Sequence, residues 1–393
     1  MRFTTLSGLL AASTLAAAQS PSLSAYTNAE IRNGHAFQNI SAIASEAMQS
    51  NIQSRAKSQC TWNNADVRRE WRTLPAATRK SFTDAVICLQ KLEPQVMTAD
   101  LAASHPGVKS RFDEYIATHI NYTLHIHDTA DFFAWHRGFT HFLEQDLRDL
   151  CAYTGVMPYW NWAEDADAPQ NSSLFSGDAF SLGSNGKFVP GRANTWLAQQ
   201  DIVYPPGTGG GCVQTGPFHD YTVNLGPLAS PNTQNVASNY QHNPRCLSRD
   251  INPFFSKLYN TYQNVTELLL NSIYMEDFQD LSQGYKSATN KFGVHGGGHW
   301  QIGGSMGDFF SSPSDPIFYL HHAQVDKIWT IWQNLDIYNR QNIIRGTATL
   351  GCAAPDCPEM QLTDKIPFGF VAEDQTFGDL MDTFAGPFCY RYE

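Results

Sequence analysis

Apolar residues recur every three or four positions through much of the chain, the spacing of a helix with one buried face. Phe82, Val86, Leu89 and Leu92 form such a stripe, and "VRREWRTL" at 67–74 continues the spacing upstream, so residues 62–100 are predicted helical. Val108, Phe112, Tyr115, Ile116 and His119 predict a helix over 108–119, with His119 on its buried face at the end. Phe132, Trp135, His136, Phe139, Leu143, Leu147 and Leu150 predict another over 131–150, where Glu144 and Arg148 are spaced to pair outside. Asp315-Pro316 supplies an N-cap and a first-turn proline for a last helix, with Phe318, His322, Val325, Trp329 and Trp332 inward.

Residues 163–250 break this period. Pro, Gly, Asn and Ser are frequent there, and "PPGTGGGC" reads as neither helix nor strand. The segment reads as an elaboration of one domain, because helical spacing resumes after it. The fold class is therefore mainly α, a helical core with long irregular loops.

Three separate predicted helices each bury a histidine: His119, His136 and His322. A buried imidazole needs a partner, so three independent core histidines suggest a shared one. "GVHGGGHW" at 293–300 adds His295 and His299, four apart with three glycines between. Each glycine costs about 1 kcal/mol of helix propensity relative to alanine. Two explanations stay open: Gly296 and Gly297 leave room for a substrate ring, or the glycines let this helix pack closely on another. Trp300, Phe309 and Phe310 follow as candidate pocket walls or core residues.

His125 and His127 precede the helix at 131, and local geometry does not choose between them. His321 points about 100° away from the stripe of His322, which makes His322 the better ligand. His35, His105, His141, His219 and His242 read as surface or hydrogen-bonding residues. Imidazole ligation suits zinc, copper, iron or nickel, and copper binds tightest. There is no H-E-x-x-H, and no inward carboxylate accompanies these motifs. A pair of redox-active ions fits better than hydrolytic zinc.

The net charge is −11, without a Lys/Arg stripe, which argues against nucleic acid as a partner. Residues 1–18 have a basic start, a short apolar run and a small-residue end, the pattern of a secretory signal. No other apolar run approaches membrane-spanning length. The mature chain, 19–393, is expected to be secreted as a single domain. Eight cysteines, none in a CxxC, allow four disulfides, with Cys352 and Cys357 spaced to close a small loop. Asn39, Asn121, Asn171 and Asn264 stand in N-x-S/T sequons and are candidate glycosylation sites.

Together "HDTADFFAWHRGFTHFLEQDLR", "HGGGHW…DPIFYLHHAQVDKIWTIWQ", "PYWNWAEDAD" and the terminal "YRY" resemble the tyrosinase/catechol oxidase (polyphenol oxidase) family, in particular its short secreted fungal members. The resemblance covers about residue 60 to the end. It implies a four-helix bundle holding a type-3 centre of two copper ions, the first on His119, His127 and His136, the second on His295, His299 and His322. It also implies phenolic substrates and O2 as partners and sets no oligomeric state. Many fungal members carry a cysteine, thioether-linked to a histidine, where this chain has His125, so no such crosslink is expected. The sequence ends at Glu393, one residue past the tyrosine motif, so no C-terminal covering domain is expected.

In strongly hydroxylating members, an asparagine often follows the first ligand of the second copper. Gly296 stands there, so o-diphenol oxidation is expected to exceed monophenol hydroxylation. A strong monophenolase, an o-aminophenol oxidase and, further off, a haemocyanin-like O2 binder are the alternatives.

Overall fold

The computed structural model describes residues 21–55, 59–197, 200–231, 233–284 and 291–393. The proposed leader at 1–18 lies outside them. Six helices frame the site: α1 (His35–Ser54), α2 (Ala76–Lys91), α3 (Arg111–Tyr122), α4 (Phe132–Cys151), α5 (Gly293–Ile302) and α6 (Ile317–Leu335). The helices predicted at 108–119, 131–150 and after Pro316 all form, within a few residues of their expected ends.

Helix α6 runs through the centre. Every residue from Ile317 to Leu335 is buried, so it has no outer face at all. It packs on α1, α4 and α5, while α2 packs on α3 and α4. Asp315 does two jobs at its start. Its Oδ1 accepts the Ile317 N–H at 3.2 Å, and the carboxylate pairs with the buried Arg249 through two contacts of 2.7 Å. Arg249 comes from the long excursion, so this ion pair anchors the excursion to the bundle.

The excursion is less irregular than its composition suggests. Gly210–Val213 forms a short strand antiparallel to Gly186–Phe188. Thr222–Val223 pairs with Arg245–Cys246, beside the Cys212–Cys246 disulfide. The other bridges are Cys60–Cys389, Cys88–Cys151 and Cys352–Cys357, the last closing a small loop over "AAPD". No cysteine is free among the described residues. Among them also, no helix is long and apolar enough to cross a membrane.

"VRREWRTL" does not become an α-helix and coils only in the 3-10 turn Trp71–Thr73. Asp66–Arg68 is a strand, parallel to Tyr390–Tyr392. Helical spacing lost there to a long-range ionic requirement. Arg68 is fully buried. Its guanidinium pairs with Glu144 at 2.7 Å and Asp326 at 3.4 Å and lies 3.6 Å from the Tyr390 ring centroid. Glu144 is accordingly buried, not outside as its spacing with Arg148 suggested, although it keeps that contact at 3.0 Å.

Asp326 is the hub of this network. It accepts from Arg137 Nε at 2.6 Å, Tyr390 Oη at 2.5 Å and Tyr392 Oη at 2.6 Å. The two arginines and two tyrosine hydroxyls hold its carboxyl below the usual aspartate range against its burial. Removing one member of such a buried network strands the others. Asp326→Ala is expected to cost about 3–5 kcal/mol of unfolding free energy, measured by urea titration, and an exposed control such as Asp84→Ala less than about 0.5 kcal/mol.

Candidate metal centre

Seven buried histidines form two adjoining groups. His119, His127 and His136 make the first; His295, His299, His321 and His322 make the second. In each group one nitrogen per ring lies within 4.8 Å of the others, and neither group contains a carboxylate or thiolate. The groups touch: His136 stacks on His322 with centroids 4.2 Å apart and planes 10° from parallel, and His127 lies 5.9 Å from His295.

Backbone carbonyls orient the rings. The Nδ1–H of His119 donates to Phe310 O at 2.7 Å, that of His127 to Thr123 O at 2.9 Å, and that of His136 to Phe132 O at 2.8 Å. His299 Nδ1 donates to Met306 O at 3.0 Å. A carbonyl can only accept, so each of these Nδ1 atoms carries the proton and each Nε2 keeps its lone pair. His119 Nε2, His136 Nε2 and both nitrogens of His322 are buried without a hydrogen-bond partner. His299 Nε2 faces His295 Nε2 at 3.1 Å. Partnerless, inward-facing imidazole nitrogens on fixed rings are what metal ions satisfy, so the residues fit a pair of ions.

All seven rings are held neutral. Burial is the main cause, and neighbouring histidines add to it for most of them. It pushes His127 down to about 3 and His299 down to about 4, and His119, His136, His295, His321 and His322 well below the ordinary range.

The structure brings all six predicted ligands together. His125 stays exposed, its Nδ1 bonded to Ala348 O at 3.0 Å, so His127 is the inward member of that pair. His321 departs from its sequence reading. The turn of about 100° carries it not away from the site but onto α5. There it stacks beside His295 at 5.6 Å and against Trp162 at 5.1 Å, with neither nitrogen partnered.

The glycines explain how it fits. A Cβ on Gly298 would stand 2.1 Å from His321 Cε1. A Cβ on Gly297 would stand 2.4 Å from Tyr259 Cβ, on the helix Pro253–Tyr259. Close packing therefore accounts for both, and Gly297 is not a pocket wall. Gly296 is half-buried beside Phe292. Trp300 also leaves the proposed pocket, packing with Tyr204, Phe255 and Phe292. Phe310 is core, and its carbonyl serves His119. Phe309 is 47 % exposed with its ring 4.8 Å from that of His127, so it stands at the mouth. Asn39, Asn121 and Asn171 are exposed, whereas Asn264 is half-buried at the start of the helix Tyr262–Asn271, where its Oδ1 accepts from Thr261.

Buried, carbonyl-oriented imidazoles in two touching groups, on a helical bundle, are the donor arrangement of a metal-binding protein. The chain belongs to the tyrosinase family. Residues 109–335 match the common central domain of tyrosinase. Tyrosinase P of Aspergillus terreus is 38 % identical over 336 residues, covering 84 % of this chain and 92 % of that protein. N-acetyl-6-hydroxytryptophan oxidase of Emericella nidulans is 35 % identical over 350 residues, covering 85 % and 94 %. A polyphenol oxidase variant from Thermothelomyces thermophila superposes with a TM-score of 0.83 at 37 % identity, covering 91 % of this chain and 98 % of that one.

Two outcomes follow. Gly298→Ala is expected to displace His321 and lower stability by about 1–3 kcal/mol, read from denaturant midpoints. The depressed histidines also set a pH dependence. An unfolded chain takes up protons below about pH 6.5, where the folded one does not. Stability of the metal-free protein is thus full above that value and lost as pH falls toward about 4 and then 3, the values for His299 and His127. Melting temperatures between pH 8 and 4 should fall steadily below pH 6.5.

Proposed function

We propose that the protein is a secreted dicopper polyphenol oxidase of the catechol oxidase type, oxidising o-diphenols to o-quinones with O2. The observation that carries the reading is the pair of abutting imidazole groups with unpartnered Nε2 atoms. His119, His127 and His136 would hold one copper, and His295, His299 and His322 the other. Copper held by these residues would supply the redox chemistry, two electrons from each of two diphenols being passed to one O2 to give two quinones and two waters. The four carbonyl-bound Nδ1 atoms keep their rings in the ligating tautomer and orientation. Burial keeps the rings unprotonated, so little acid competition arises near neutrality.

At the mouth, the Phe309 face offers an apolar surface for a phenolic ring beside His127. Gly296 presents no side chain to help deprotonate a monophenol, which supports diphenol oxidation over hydroxylation. The four disulfides and the sequence of residues 1–18 support secretion, and the exposed Asn39, Asn121 and Asn171 support glycosylation.

Purified protein should hold two copper ions per chain by elemental analysis. Initial rates on catechol should exceed those on a matched monophenol, the latter starting after a lag. A faster, lag-free monophenol rate would assign the chain as a hydroxylating tyrosinase instead. Fewer than two coppers, or full turnover in His136→Ala or His322→Ala, would refute the centre itself.

A further inference from the structure

One side chain outside the histidine groups is placed to act on both. The turn 306–310 follows α5 and precedes α6. Met306 O accepts from His299 Nδ1 at 3.0 Å, and Phe310 O accepts from His119 Nδ1 at 2.7 Å. Two carbonyls four residues apart thus fix one histidine of each group. Between them, Phe309 stands against His127 at 4.8 Å. The 3-10 turn Gly304–Gly307 shapes its start, but from Asp308 to Phe310 no helix or strand holds the chain.

The holder is Asp308. Its Oδ1 accepts from the Phe310 N–H at 3.0 Å, the Ser311 N–H at 2.6 Å and Ser311 Oγ at 2.9 Å. Its Oδ2 accepts from the Leu228 N–H at 3.0 Å, which pins the turn to the long excursion. Its own carbonyl accepts the Ser312 N–H at 3.0 Å. Charge-assisted bonds to a carboxylate are about twice as strong as neutral ones, and three of these donors are backbone groups that cannot turn away.

We propose that Asp308 is a positioning residue for both metal sites at once, through the carbonyls of Met306 and Phe310. This rests on the copper reading above. Asp308 is no ligand itself: its bond to the Ser311 N–H fixes the peptide that carries Phe310 O, and its place two residues after Met306 ties the second acceptor to the same anchored turn. Loss of an outer-shell partner typically costs a bound metal 10–100-fold in affinity. Here one substitution relaxes an acceptor in each group, so both coppers should weaken together. A residue that served the fold alone would lower stability and leave the affinities as they were.

The test is a chelator-competition titration of both copper equivalents in purified wild type, Asp308→Ala, Asp308→Asn and Ser311→Ala, with melting of each metal-free protein alongside. Asp308→Ala should weaken both equivalents in parallel by about 10-fold or more. Asp308→Asn retains one carbonyl oxygen toward Phe310 and Ser311 and should recover most of the loss. Ser311→Ala removes a single donor and should weaken both equivalents by a few-fold; it decides the matter if Asp308→Ala does not fold. Wild-type affinity at both equivalents, weakening of one alone, or a lowered melting temperature with both affinities unchanged would overturn the proposal. Wild type that takes up fewer than two coppers would instead overturn the copper reading.

Discussion

A single buried carboxylate sets the register of the bundle. Asp326 sits one helical turn beyond His322 on α6 and grips Arg137, the residue after His136 on α4, at 2.6 Å. The face-to-face stack of His136 on His322 at 4.2 Å is therefore held from behind by an ion pair. A slide of either helix by one residue would turn a ring out of the site and leave a charge buried alone. A buried charge left alone is far costlier than any gain in packing. The same carboxylate receives Tyr390 and Tyr392, so the end of the chain closes over the network, and the Cys60–Cys389 bridge ties that end to the start of the domain.

Around this frame the site is ordered by backbone rather than by acids. Metal-binding histidines are often oriented by carboxylates, which add negative charge. Here four rings are oriented by carbonyls of Phe310, Thr123, Phe132 and Met306. The result is a set of neutral donors in an apolar surround, which leaves the positive charge of bound ions undiminished. All-imidazole donor sets of this kind suit copper, in keeping with membership of the tyrosinase family.

The long excursion contributes anchors rather than ligands. Arg249 reaches from it to Asp315 at the head of α6, and Leu228 reaches from it to Asp308 beside α5. Both bonds end on the segment between the two helices that carry the second group of histidines. A segment with weak periodicity thereby influences the site without entering it.

Helices α3, α4 and α6 were legible in the chain because each buries a stripe whose period is local. The histidines on them were legible for the same reason: His119, His136 and His322 fall on the buried stripes. His295 and His299 were visible as a pair, but the purpose of their glycines was not. That purpose lies in His321 and Tyr259, which no local spacing brings near. That His321 also comes beside His295 was not legible, because a stripe presumes an outer face, and α6 has none. "VRREWRTL" follows helical spacing, yet its start is a strand and only Trp71–Thr73 coils, as a 3-10 turn, since Arg68 is claimed by Glu144 and Asp326, far away in the chain. Periodicity and residue chemistry act through neighbours in sequence, so they settle which segments coil and which side chains can bind metal. Three of the four orienting carbonyls lie within seven residues of their rings, but which rings meet, which glycines make room and that Phe310 O serves His119, 191 residues away, depend on contacts between distant segments, and these exist only once the chain has packed.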